Sequence, residues 1–311
     1  MTLAAPQGKR LLVLGASGLL GINLALEASP RYQVTGSANA HPLKGAPFKM
    51  VAADLAQPGA AAWLVASLHP DLVVNCAAWA NIDACEKDPA QSARMNADLP
   101  GELAEACRKA GARLAHISTD AVFDGVKGSY SETDETHPQG VYARDKLAGE
   151  QAVAQANPDA VVARVNFYGW SLLGGRSLAE FFYHSLSEGR RVNGFTDVLF
   201  CPLEASRLSL LLLEMLERGL SGLFHVYSSE HQSKYEFGCA LARKFGLDDT
   251  LIAPISVFRS GLVARRSPNL TMRVDKIEAA LGRPMPGQAE QLEYFYQLYR
   301  QGRPEQFKAF I

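Results

Sequence analysis

A glycine turn limits what this chain can fold into. Gly15-Ala16-Ser17-Gly18-Leu19-Leu20-Gly21 follows a short apolar run, residues 10–14, and opens a segment of helical composition, residues 19–28. A strand that turns on glycine straight into a helix has the form of the phosphate turn of a dinucleotide-binding α/β unit. Gly15 permits the tight turn, Gly18 lets backbone approach a pyrophosphate, and Gly21 lets the helix pack close to the strand. The helix N-terminus then presents free N–H groups to the phosphates. The same stretch has the outline of a secretory leader, because Lys9 and Arg10 precede two apolar runs, 11–14 and 19–26. Three glycines at fixed spacing interrupt that apolar core and favour strand, turn and helix instead.

Beyond the turn, strand-like and helix-like segments alternate. Strands are expected at 32–36, 49–53, 71–76, 113–118 and 160–165, and a helix at 60–68. Residues 92–110 read as one long amphipathic helix, with Leu99, Leu103, Ala106 and Cys107 on one face. Such alternation predicts a Rossmann-like doubly wound parallel sheet covered on both faces, with its ligand beyond the carboxyl ends of the strands. The last third is denser in proline, with helices expected at 204–218, 234–245 and 271–281 and a strand at 223–227. This divides the chain into a dinucleotide-binding domain, 1–165, with a catalytic helix at 142–156, and a smaller α/β substrate-binding lobe, 166–311. The boundary falls between about 165 and 195, and the chain can cross between lobes.

Composition excludes several classes. A net charge of −1 provides no basic field for nucleic acid or anionic membrane. No segment approaches the ~18 apolar residues of a membrane span. The five cysteines have neither disulfide nor zinc spacing, which points to reduced thiols and a cytoplasmic protein. His116, His184, His225 and His231 lack metal-ligand spacing and read as structural, so no metal is expected.

The end of the second strand selects the form of the dinucleotide. A carboxylate there would hold a ribose 2′-hydroxyl and favour NAD. The stretch Thr35-Gly36-Ser37-Ala38-Asn39-Ala40-His41, with Lys44 beyond it, has no carboxylate and no arginine. The expectation is NADP(H) ahead of NAD(H). Asp54, after the third strand, fits two roles equally: acceptor for an adenine amino group, or cap for the next helix.

Tyr142-Ala143-Arg144-Asp145-Lys146 places a phenol and an ammonium one helical turn apart on one face. Free tyrosine has a pKa of about 10. A neighbouring ammonium would lower it and ease proton exchange, and Lys146 could also hold a nicotinamide ribose. Upstream, His116-Ile117-Ser118-Thr119-Asp120 ends a predicted strand, where a hydroxyl can bond the carbonyl oxygen that Tyr142 protonates. Hydride delivery with a phenol proton donor makes a carbonyl reductase.

Taken together, these residues resemble the extended short-chain dehydrogenase/reductases, and more narrowly the dTDP-4-dehydrorhamnose reductase branch. The similar stretches are the glycine turn, Asn75-Cys76-Ala77-Ala78-Trp79, Ile82-Asp83 with Glu86, Met95-Asn96, residues 117–125, Tyr130 with Glu132 and Asp134, and residues 142–150. Looser matches are Gly194-Phe195-Thr196-Asp197 with Pro202, residues 222–226, Tyr235-Glu236-Phe237, and residues 272–276. The resemblance implies reduction of the C4 ketone of a nucleotide-linked 4-keto-6-deoxy sugar by Thr119, Tyr142 and Lys146. It implies a cofactor surrounded by Gly15, Ser17, Gly18, Leu19, Leu20, Gly21, Asp54, Leu55, Ala77, Ala78 and Asn96, with Tyr142 and Lys146 also touching it. It places the substrate, a small sugar nucleotide, against Asp120, Asn166 and Trp170, and is compatible with a homodimer.

This chain departs from the branch at Ala121, where a tyrosine usually follows Ser-Thr-Asp, and across residues 164–170. Both departures bear on which sugar is accepted. Two rival readings stand beside the reductase. One is an NADP-binding regulatory subunit of a partner enzyme; the retained Thr119, Tyr142 and Lys146 argue against it and Ala121 argues for it. The other is a sugar-nucleotide epimerase or dehydratase, disfavoured because alanine, not glutamate, follows Asp120.

Overall fold

The short runs read as strands in the first half, together with two later ones, form one sheet. The computed structural model describes residues 8–39, 43–259 and 267–311. Ala40 and His41, part of the stretch read for cofactor choice, lie outside the described residues. The strands are β1 (Arg10–Leu14), β2 (Gln33–Ala38), β3 (Lys49–Ala52), β4 (Leu72–Asn75), β5 (Arg113–Thr119), β6 (Val161–Val165) and β7 (Gly222–Val226). They lie parallel in the order β7-β6-β5-β4-β1-β2-β3. β1 pairs with β2 on one side and β4 on the other, so the connections diverge there and open a crevice beyond the carboxyl ends. The inner strands are continuous apolar runs because helices cover both faces.

The covering helices include α1 (Leu19–Ala28), α2 (Ala60–Leu68), α3 (Leu99–Ala110) and α4 (Val141–Ala156). The expected helix at 92–110 is not regular. A π-helical turn, Arg94–Asp98, leads into α3. Pro100 supplies the reason: it has no N–H to donate to the carbonyl of Asn96, four residues back, and its ring crowds that carbonyl. The released carbonyl presses on α4 at Gly149, where an added Cβ would lie 2.2 Å from it. A proline on one helix and a glycine on the next thus set how closely the Tyr142 helix approaches the π turn.

Beyond β6 come α5 (Leu178–Ser187), α6 (Ala205–Glu217), α7 (Lys234–Phe245), α8 (Asp275–Leu281) and α9 (Gln288–Arg300), of which α5, α7 and α9 build a second layer. Trp170, Phe182, Phe237, Phe295 and Phe307 form its aromatic core. Residues 166–311 are not confined to this layer. β7 returns to the main sheet beside β6, and α6 packs on α1. Of the helix expected at 271–281, only α8 forms. Thr271 and Arg273 instead bond the backbone of Tyr130, which keeps Thr271–Arg273 extended. No described helix is long and apolar enough to cross a membrane.

Candidate active site

A cavity of about 290 Å³ opens beyond the carboxyl ends of β1 to β4. Gly15 enters it from β1 with φ +74°, a conformation that favours glycine, and an added Cβ would lie 2.9 Å from the backbone of Ala77. Gly18 has ordinary extended backbone and caps α1. Its added Cβ would meet only the carbonyl of Gly15, at 3.1 Å. Gly21 sits 2.2 Å, by the same measure, from the Gly15 carbonyl. The three glycines therefore do different work: Gly15 and Gly21 permit the turn, while Gly18 leaves room in the cavity. Gly18→Val is expected to abolish dinucleotide binding by calorimetry with little loss of thermal stability. Gly21→Ala should lower the melting temperature, because its Cβ collides with backbone. Normal binding by Gly18→Val would reduce the turn to a structural element.

Gly15, Ser17, Gly18, Asp54, Leu55, Ala77 and Ala78 all line this cavity. Asp54 does not cap the next helix, whose N-cap is Gly59; it accepts from the N–H of Ala56 and the side chain of Gln57 in the loop before it, and so faces the cavity without serving as a helix cap. Other expected residues act from behind. Leu20 is buried in the core, and Leu19 and Leu20 can offer a ligand only their backbone N–H groups, which lack intrahelical partners at α1's first turn. Asn96 does not line the cavity. It is fully buried and grips Trp79 from both sides, accepting from its N–H at 3.1 Å and donating to its carbonyl at 3.0 Å. It holds the loop that carries Ala77 and Ala78 in place.

The cavity also involves residues that the sequence reading did not assign: Trp79, Gln91, Met95, Arg176 and Ser37. Ser37 stands near the end of β2, fully buried, and its hydroxyl has no hydrogen-bond partner among the described residues. Its position in the stretch already singled out for cofactor choice was the available signal. Arg176 lies far along the chain, and nothing local in the sequence marks it.

The proposed catalytic residues converge at the end of β5. Thr119 closes the strand; its hydroxyl donates to Asp120 at 3.1 Å and accepts from the N–H of Ala121. Tyr142, half-buried in the first turn of α4, bonds the Thr119 side chain. Burial, reinforced by the Asp120 carboxylate, pushes the Tyr142 phenol upward from its ordinary pKa, while Thr119 pulls the other way. Lys146 is not among the causes of this shift in the free protein. The Lys146 amine instead donates to the carbonyl of Ile117 at 2.6 Å and lies 3.5 Å from His116. Burial lowers Lys146 to about 8, with Glu150 and Cys76 opposing. Cys76 lines the cavity, and Lys146 ties the Tyr142 helix to β5 through the Ile117 carbonyl.

Asp120 is buried and accepts from Asn166 at 2.6 Å, and burial raises its pKa. Asp120 and Asn166 thus stand together beside Thr119 and Tyr142. Trp170 does not join them. It is 1 % exposed, stacks on Phe295 at 4.3 Å and donates its indole N–H to the Phe295 carbonyl. The expected substrate contact is a core residue of the second layer. No cluster of three or more metal-ligating side chains occurs among the described residues.

Residues 9–301 match the family described as RmlD substrate binding domain. The chain belongs to this family. It is 34% identical over 281 residues to a probable low-salt glycan biosynthesis reductase of Haloferax volcanii, covering 88% of this chain and 93% of the relative. It is 34% identical over 260 residues to the dTDP-4-dehydrorhamnose reductase of Mycobacterium tuberculosis, covering 81% of each. A methionine adenosyltransferase 2 subunit beta from Pongo abelii is 29% identical, over 87% of this chain and 82% of the relative. Among solved structures, the dTDP-4-dehydrorhamnose reductase of Bacillus anthracis in complex with NADP superposes with a TM-score of 0.82. That match is 24% identical and covers 93% of this chain and 99% of the other.

Proposed function

We propose that this chain reduces the C4 ketone of a nucleotide-linked 4-keto-6-deoxy sugar with a nicotinamide dinucleotide, NADP(H) ahead of NAD(H). The observation that carries the reading is the meeting of Thr119, Tyr142 and Lys146 at the end of β5, next to the glycine-lined cavity. The residues present fit a dinucleotide. Gly18 keeps free a space that a side chain would fill, and Ser37 offers a buried hydroxyl without a partner among the described residues. A bound dinucleotide would supply the hydride.

The protein's own groups then have separate tasks. Ser17, Gly18 and the first turn of α1 hold the phosphates. Thr119 donates a hydrogen bond to the substrate carbonyl. The Tyr142 phenol, kept protonated in the free protein, gives its proton to the oxygen as the carbonyl becomes an alkoxide. Asp120 and Asn166 face the sugar. At Ser37, a hydroxyl stands where a carboxylate would repel a 2′-phosphate, which supports NADP(H). A cytoplasmic location belongs to the same proposal and is supported by five free cysteines.

The test is a panel of nucleotide-linked 4-keto sugars assayed with NADPH and NADH by loss of absorbance, with both dissociation constants measured. Turnover of at least one sugar and tighter NADPH binding are expected. A tenfold preference for NADH would overturn the NADP assignment. The similarity to a methionine adenosyltransferase subunit, together with Ala121, gives the rival reading of an NADP-binding regulatory subunit. Tight NADPH binding without turnover of any sugar would favour that rival.

A further inference from the structure

Arg176 lines the dinucleotide cavity, yet it belongs to the second layer of the protein. Ser17 and Gly18, on the same cavity wall, come from the first βα turn. Two observations set it apart from an ordinary surface arginine. The first is the platform beneath it. Glu180, fully buried in α5, gathers the N–H of Ser171 at 2.6 Å, the hydroxyl of Ser171, the N–H of Arg176 at 2.9 Å and the N–H of Ser177. Ser177 completes a capping box with Glu180 and also donates to the carbonyl of Gly169. Its preceding segment is tied to α1, because Asn23 donates to the carbonyl of Trp170 at 3.0 Å. The backbone that carries Arg176 is therefore fixed from two sides, close to the helix that follows the phosphate turn.

The second observation is charge. The guanidinium has no hydrogen bond or ion pair among the described residues. Among the described residues, Arg176 is the sole cationic side chain lining the cavity, and Asp54 the sole anionic one. A dinucleotide brings at least two phosphate charges into that space. The partial charge of one helix end offsets them only in part. An unpaired guanidinium on a rigid loop is suited to a phosphate, since its planar fork can make two charge-assisted bonds at once.

We propose that Arg176 is a phosphate ligand of the bound dinucleotide, reaching across from the second layer to close the cavity over the phosphate turn. The inference rests on the dinucleotide reading above and adds a residue to it. Its consequence is that the cofactor bridges the sheet and the second layer.

The test compares wild type with Arg176→Gln and Arg176→Lys, measuring dissociation constants for NADPH, NADH and adenosine by calorimetry at low and high salt. Arg176→Gln is expected to weaken dinucleotide binding roughly 10-fold at low salt, the lower range for a charged hydrogen bond at an exposed side chain. The loss should shrink at high salt, and adenosine, which has no phosphate, should bind as to wild type. Arg176→Lys should recover part of the affinity. Equal losses for NADPH and NADH place the guanidinium on the pyrophosphate. A loss confined to NADPH places it on the 2′-phosphate. Either result supports the proposal. Binding of both dinucleotides within twofold of wild type, or an equal loss for adenosine, overturns it. Wild type that binds neither dinucleotide would instead defeat the underlying cofactor reading, so the two failures are distinguishable.

Discussion

Tyr142→Phe is expected to lower turnover of any accepted keto sugar by roughly 10²–10⁴-fold while leaving the dinucleotide dissociation constant nearly unchanged. The phenol is proposed as the proton donor to the forming alkoxide, so its removal should act on the transition state and not on a ligand bound before the reaction. The structure sharpens this expectation. Burial and the nearby Asp120 carboxylate keep Tyr142 protonated, which is the form a reductase requires. Thr119, whose side chain bonds the phenol, is proposed to supply one hydrogen bond to the carbonyl and no proton, so Thr119→Val should cost less than Tyr142→Phe. Lys146→Met should reduce both turnover and cofactor affinity, because its amine fixes the Ile117 carbonyl near the end of β5 and is the group proposed to hold the nicotinamide ribose. Steady-state rates and calorimetric binding on the same preparations separate these effects. Unchanged turnover by Tyr142→Phe would remove the phenol from the chemistry.

Arg164→Met is expected to destabilise the fold by about 3–5 kcal/mol, the cost of leaving one charge of a buried pair without its partner. Arg164 on β6 pairs with Glu150 on α4 through two bonds, at 2.9 and 2.7 Å, and their side chains are 3 and 7 % exposed. Ser118 donates to the same carboxylate at 2.5 Å. Ser118 precedes Thr119, and Glu150 lies one turn beyond Lys146. The pair, with Ser118, therefore ties the end of β5 and strand β6 to α4. Replacing both partners, Glu150→Leu with Arg164→Met, should recover much of the lost stability, since no lone charge then remains. Denaturant unfolding of the single and double variants measures this. A single variant within 1 kcal/mol of wild type would show that the pair does not hold the two elements together.

The parts of this arrangement that local sequence encodes were readable before the structure. Strand β1, helices α1 and α2 and the glycine turn follow from apolar runs broken by glycine, whose signals lie within a few residues. The Tyr142 and Lys146 pair follows from helical spacing alone. What the sequence concealed depends on contacts between distant segments. The π turn at Arg94–Asp98 needed the effect of Pro100 on the Asn96 carbonyl and the space left by Gly149. Trp170 follows the strand that supplies Asn166, which suggested a site residue, yet its ring turns into the aromatic core against Phe295. Asn96 is close in sequence to the cavity-lining Met95 but works as a brace for Trp79. Arg176 reaches the cavity because Asn23 of α1 holds the Trp170 carbonyl and Glu180 gathers the N–H groups of Ser171, Arg176 and Ser177, contacts between segments far apart in the chain. The upward shift of Tyr142 also needed three dimensions, since it comes from burial and Asp120 while the Lys146 amine is bonded to Ile117.

The central claim is hydride transfer to a sugar ketone, and isotope transfer tests it most directly. Wild-type protein is incubated with a nucleotide-linked 4-keto-6-deoxy sugar and NADPH carrying deuterium on the transferable position of the nicotinamide. The product is then read by NMR. The account predicts a C4 hydroxyl with deuterium bonded to C4, formed at a rate that falls at least 100-fold in Tyr142→Phe, the lower bound for loss of a general acid. Dinucleotide binding with no deuterium at C4 of any sugar in the panel would contradict it.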